Sequence, residues 1–147
     1  MPRTPVLTGQ VIGQAHYATR AVLERELTAM GLTFFQSLAL NAVAAEGGAV
    51  EHAPLVDRMT GALKVDESAV QATIDELSAA GLLRTLPSGG SGLALTDAGR
   101  ARQRQVADGV AGIVARLYAD IPTAELEVAG RVLTLLKQRA DAELATA

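Results

Sequence analysis

The chain is 147 residues long, 49% hydrophobic, 3% aromatic and free of cysteine, with a formal net charge of −3 at pH 7. That length suits one domain with its own core, filled mainly by Leu, Val, Ile and Ala because aromatics are scarce. Without cysteine there are no disulfides, thiolate metal ligands or thiol redox sensors, and no apolar run approaches the ~20 residues of a membrane span.

A first helix is predicted from about residue 6 to residue 30, with Val11, Ala15, Ala18, Val22 and Ala29 or Met30 as its spine. Gly31 breaks it, and Thr33 caps a second helix that runs to about Ala45 and ends at Gly47 and Gly48. Leu55, Met59 and Leu63 then share one face of a third helix. Val70, Ile74 and Leu77 repeat that pattern in a fourth, where Asp66 is placed to accept from free backbone N–H groups. Ala80 and Gly81 end it. Leu82 to Leu86 is a short strand, Pro87 to Gly92 a turn, and Leu93 to Leu95 the returning strand. Thr96 caps a fifth helix reaching about Ala119, with Asp97 at its positive end and Val106, Val110, Ile113, Val114 and Leu117 on its apolar side. Pro122 opens the last helix, whose spine is Leu126, Ala129, Leu133, Leu136 and Ala140. The fold class is mainly α with a small β-wing. Two helices joined by a short turn and followed by a β-ribbon make a winged helix-turn-helix, which holds one helix in a DNA major groove.

The chain resembles the MarR family of winged-helix transcriptional regulators. Gly31, Leu32, Thr33 and Phe34 lead into Leu38, Ala39 and Leu40; then come Val70, Ile74, Asp75, Glu76 and Leu77, next Gly81, Leu82, Leu83 and Arg84, and finally Leu95, Thr96 and Gly99. The resemblance covers the whole chain and rests on the order and spacing of these short frames. It implies a single domain over 1–147, with a winged helix-turn-helix at about 33–96 between dimerisation helices at about 6–30 and 97–146. It also implies an obligate homodimer on a pseudo-palindromic operator in double-stranded DNA, released by a small ligand. The dimer has a physical argument as well: the first and last two helices are longer than a small winged core covers, so their apolar stripes call for a second copy. Gly109 and Gly112, inside the fifth helix, fit a dimer contact, an intrachain helix crossing or a small kink.

Electrostatics oppose easy DNA binding. From Glu51 to Leu83 the only basic residues are Arg58 and Lys64, against Glu51, Asp57, Asp66, Glu67, Asp75 and Glu76. The candidate DNA contacts are Lys64 in the turn, Ser68 and Gln71 near the start of the fourth helix, Arg84 at the wing base and Ser88 at the wing tip. Glutamine matches the donor–acceptor pair of adenine, and Ala72 reaches at most a thymine methyl. Arg100, Arg102 and Arg104 supply either a positive rim or plain solvated surface. The stretch from Pro87 to Gly92 is uncharged, whereas many members of the resembled family place an arginine at the wing tip for the minor groove.

The resemblance also implies an effector site between the first, second and fifth helices. The matching positions are His16, Tyr17, Arg20, Phe34, Phe35 and Gln36, suited to a small aromatic or acidic molecule. The other reading of these aromatics is core packing, with Tyr17 at the dimer seam. His16 and His52 are the only histidines and lack metal-ligand spacing, so neither a metal nor any other cofactor is expected. No nucleophile elbow, P-loop or dinucleotide fingerprint is present, so an enzyme is not expected.

The opening residues Met1, Pro2, Arg3, Thr4 and Pro5 lack the apolar segment of a signal peptide. The expectation is a cytoplasmic protein with no membrane contact. Two functions remain: a dimeric, sequence-specific, DNA-binding and ligand-responsive regulator, expected to repress; or a winged-helix dimer with weak or lost DNA affinity serving as a protein-interaction or ligand-binding module.

Overall fold

A computed structural model describes residues 4–87 and 90–146. Six helices and three strands follow in the order α1 (Gly9–Ala29), α2 (Phe34–Ala45), β1 (Ala49–Glu51), α3 (His52–Leu63), α4 (Glu67–Ala79), β2 (Leu83–Thr85), β3 (Gly92–Leu95), α5 (Asp97–Leu117) and α6 (Thr123–Ala145). The mainly helical class with a small wing is as expected, and every predicted helix is present. Strand β1 is the element that patterning missed. Three residues directly after Gly47 and Gly48 are too few to show alternation, and their partner strand lies more than forty residues downstream.

Two compact units result, Met1–Ile113 and Val114–Ala147. In the first, α1 and α2 are bent by 85° at the break between them. Thr33 makes that corner durable. Its hydroxyl accepts from Gln36 N at 3.1 Å, while the Gln36 side chain accepts from Thr33 N at 3.0 Å, so two otherwise orphaned donors are satisfied reciprocally. The sheet has the order β1-β3-β2 and is antiparallel throughout, pairing Val50 with Leu93 and Arg84 with Ala94.

The core joins Leu27 and Leu32 to Leu40 and Val43 of α2, Leu55 and Met59 of α3, and Val70, Ile74 and Leu77 of α4. Burial of these apolar side chains is the main source of stability. The faces predicted for α3 and α4 are the ones that face inward, with Leu63 only partly buried. The spine assigned to α1 is wrong in detail: Leu27 is its one buried residue, and Ala15 and Ala18 are exposed. Asp66 takes the N-cap position of α4, but its side chain makes no capping bond. Thr96 does cap α5, accepting from Gly99 N at 2.9 Å.

One close approach fixes the start of α5. A Cβ on Gly99 would lie 2.1 Å from the Leu82 carbonyl oxygen. That neighbour is backbone and cannot swing aside. A Cβ on Gly109 would meet only the far ends of two flexible side chains, Glu26 Oε2 at 2.6 Å and Met30 Cε at 3.4 Å. Arg102 adds a hydrogen bond from Nη1 to the Met30 carbonyl at the end of α1.

The second unit is chiefly α6. None of its residues is buried, although Val128, Leu133 and Leu136 are 54%, 42% and 40% exposed. No single helix among the described residues is long and apolar enough to cross a membrane.

Gly99→Ala is expected to lower the unfolding free energy by roughly 1–3 kcal/mol, the usual cost of overpacking. Urea titration followed by circular dichroism measures it; an unchanged midpoint would show that the start of α5 is not pressed against Leu82.

Candidate functional site

The turn between α3 and α4 is short. Lys64 closes α3 in the left-handed conformation (φ 56°, ψ 44°), its N–H bonding to Thr60 O, and α4 begins just after Val65 and Asp66. Lys64 is exposed, and its Nζ donates to Gly61 O at 2.6 Å. Burial of Val70, Thr73, Ile74 and Leu77 sets the rotation of α4 and leaves Ser68, Ala72 and Asp75 on its exposed side. Thr73 is fully inside, its hydroxyl bonded back to Ala69 O at 3.0 Å.

Gln71 is half-buried and tethered at both ends of its amide. Its Oε1 lies 2.6 Å from His52 Nε2, and its Nε2 donates to Asp75 Oδ1 at 2.9 Å. Arg84 stands exposed on β2, opposite Ala94. Ser88 lies outside the described residues. Lys64, Ser68 and Gln71 are therefore gathered at one turn and one helix start, while Arg84 belongs to the wing. Asp66 and Glu67 sit at the positive end of the α4 dipole and oppose the attraction that this end offers phosphates.

Of the downstream arginines, Arg102 is engaged with Met30 O, and the Arg100 guanidinium lies against Gly48. Gly48 has φ +99°, and a Cβ there would be 2.7 Å from that guanidinium. Arg100 and Arg104 are both exposed, and both line a shallow pocket beside Gly47 and Gly48.

A second feature adjoins α4. A cleft of about 450 Å³ opens between α1, the α1–α2 corner and α4, lined by Arg20 and Glu24, Phe34 and Phe35, and Ala72 and Glu76 among others. Arg20 pairs through Nε with Glu24 and lays its guanidinium carbon 4.2 Å from the Phe34 ring centroid, a cation–π contact. Phe35 lies 6.2 Å from Phe34. His16 meets the edge of Phe34 at 6.5 Å and Tyr17 at 5.3 Å. The four proposed ligand residues thus form one contiguous cluster, but only Arg20 and Phe34 line the cleft. Tyr17 is 69% exposed. Gln36 contributes indirectly, donating from Nε2 to Glu76 Oε1 at 3.2 Å and so tying the start of α2 to α4.

Patterning missed the α4 wall of this cleft. Ala69, Ala72, Thr73 and Glu76 recur at i, i+3, i+4 and i+7, a stripe of mostly small side chains that leaves space where larger ones would close it. Among the described residues, no three His, Cys, Asp or Glu side chains converge as a metal site would require.

A helix-turn-helix, a three-stranded wing and long flanking helices in this order are shared with several solved structures. One is a MarR-family transcriptional regulator from Silicibacter pomeroyi, 23% identical, with a TM-score of 0.67 over 86% of this chain and 84% of that one. The chain has the MarR-type winged-helix fold. A mutant MarR from E. coli complexed with operator DNA aligns at 20% identity and TM-score 0.73, covering 87% of this chain and 91% of its own. CouR from Rhodococcus jostii, bound to p-coumaroyl-CoA, aligns at 19% identity and TM-score 0.74, covering 88% and 90% respectively. No protein-family model and no curated protein matches the chain. In this MarR-type frame, α4 is the second helix of the helix-turn-helix, and the cleft runs along its flank.

A double-mutant cycle of Arg20→Met and Phe34→Leu is expected to give a coupling energy of about 0.5–1 kcal/mol by urea denaturation. Zero coupling would mean that the guanidinium does not rest on that ring in solution.

Proposed function

We propose that the chain is a homodimeric, ligand-responsive regulator that binds pseudo-palindromic operator DNA with α4 in the major groove. The observation that carries this reading is the α4 surface itself: a helix locked by its buried face, entered through a tight turn, and presenting Ser68 and Gln71 in a MarR-type frame. Operator DNA in the complex of the E. coli neighbour supports the same reading. Lys64, Arg84 and the Ser88 hydroxyl supply phosphate contacts, and Gln71 reads a base edge. A repressor acts by occupying its operator and leaves when a ligand favours another arrangement of the two DNA-binding units.

The second copy is argued from α6. A 23-residue helix with no buried residue, carrying Val128, Leu133 and Leu136 exposed, calls for an apolar partner surface. Leu117 and Tyr118, 42% and 48% exposed, extend the apolar run at the end of α5. A second copy of these same segments is self-complementary in the way a twofold interface requires. The 1–147 chain then acts as one functional domain, with α1, α5 and α6 in the dimer.

The effector proposed for the cleft is a small aromatic molecule stacking on Phe34 and Phe35, with His16 and Tyr17 at the rim. The p-coumaroyl group bound by the Rhodococcus neighbour is aromatic as well. An acidic ligand must compete with Glu24 for Arg20, because the two are already paired. Ala72 and Glu76 line the same space, so an occupant touches α4 directly.

One observation favours the second reading, a dimer that has lost most DNA affinity: six acids against two bases between Glu51 and Leu83. A salt titration against promoter DNA separates the two. Under the first reading, affinity falls steeply as salt rises. Lys64→Asn with Arg84→Ala flattens the slope of log affinity against log salt by roughly 2 per contact type, since each change occurs twice in a dimer. Asparagine is chosen because it tolerates the left-handed backbone at that position. Absence of binding even at low salt selects the second reading.

Leu133→Asp is expected to turn the dimer into monomers at micromolar concentration, because an interface carboxylate is stranded without water. Sedimentation velocity measures this; an unchanged dimer would place Leu133 outside the interface.

A further inference from the structure

We propose that His52 is a positioning residue for base recognition, holding the Gln71 side-chain amide in the one orientation that reads adenine in the major groove. The inference rests on the DNA-binding reading and adds to it a residue that no sequence motif marks.

The hydrogen bonds determine the orientation without ambiguity. Asp75 offers a carboxylate, which only accepts, so the amide nitrogen of Gln71 must be the atom 2.9 Å from Asp75 Oδ1. The amide oxygen then faces His52 Nε2 at 2.6 Å. A carbonyl oxygen also only accepts, so His52 Nε2 carries the hydrogen and donates it. Asp75 and His52 thus select the same flip of the amide from opposite ends.

His52 is itself well anchored. It is the first residue of α3, immediately after β1, and its backbone N–H donates to Ser91 O at 3.0 Å. The clamp therefore runs from the sheet, through the imidazole, to the exposed side of α4. Glu51, next to His52, accepts from the Ser91 hydroxyl at 3.3 Å, a second link between the start of α3 and the wing.

What remains free on Gln71 is the useful part. One N–H of Nε2 and one lone pair of Oε1 are unused by the clamp. Adenine presents an acceptor at N7 and a donor at N6 in the major groove, the complement of that pair. An untethered glutamine rotates its amide and exchanges the two ends, so it tolerates several bases and loses side-chain freedom on binding. A tethered one has been ordered before DNA arrives. In a motif this poor in cations, discrimination by a preset amide does not depend on strong phosphate attraction.

The test selects binding sites from a random duplex pool. Dissociation constants are then measured at one salt concentration for the best site and for every single base-pair change. In Gln71→Ala, discrimination is lost at one A·T pair in each half-site. In His52→Phe, which keeps a ring but removes the donor, discrimination at that same pair falls about tenfold. Affinity for random-sequence duplex changes by no more than about twofold. His52→Gln, which restores a donor of comparable reach, recovers the discrimination. Asp75→Ala releases the other end of the amide and lowers the same ratio, which provides a readout if His52→Phe does not fold. Unchanged discrimination in either folded variant, or a loss spread evenly over all base pairs, overturns the proposal. If the wild-type protein binds no duplex at low salt, the regulator reading itself fails, and this is visible before any variant is made.

Discussion

The rotation of α4 about its own axis governs most of what this molecule can do. Val70, Thr73, Ile74 and Leu77 are driven inward against Leu40, Val43, Leu55 and Met59, and a helix has only one rotation that buries all four. Once that face is committed, the other flanks follow. Ser68 and Asp75 face solvent, Ala72 and Glu76 border the cleft, and Gln71 comes within reach of His52. Core packing is thus the device that sorts one short helix into a solvent-facing side and a cleft-facing side.

Charge is the constraint that this arrangement must work around. Asp66 and Glu67 occupy the end of α4 where a helix dipole attracts anions, and the described wing residues near the tip carry no compensating cation. The available positive groups are few, and several are occupied: Arg58 pairs with Glu46 at 3.3 Å, Arg102 secures the end of α1, and Arg20 stacks on Phe34. Under the proposed DNA-binding reading, phosphate attraction from so small a set is modest, and fixed polar geometry at the base edge matters more to selectivity than total charge does.

The cleft and the exposed side that carries Ser68 share α4, so on the proposed reading a ligand in the cleft acts on DNA binding through that helix. Glu76 lines the cleft and also accepts from Gln36, the residue that completes the Thr33 capping box. A molecule entering between Phe34 and Ala72 meets the α1–α2 corner on one side and α4 on the other. On that reading, it shifts DNA affinity only to the extent that it binds one arrangement of these walls better than another.

Much of the fold was legible in the chain. Apolar spacing identified every helix and the inward faces of α3 and α4, and glycine and threonine placed most of the ends, because these signals are local and depend on the period of the backbone. Strand β1 was not legible, since three residues have no measurable period and their pairing with β3 is a long-range event. Lys64, Ser68, Gln71, Arg84 and the cluster around Arg20 and Phe34 could be named from order and residue type. What tertiary structure alone decided is how particular residues are placed: Gln71 bound at both ends by His52 and Asp75, Gly99 pressed against the Leu82 carbonyl, Ala72 forming a cleft wall. Those roles depend on distances between residues far apart in the chain, which close packing sets and which no local pattern records.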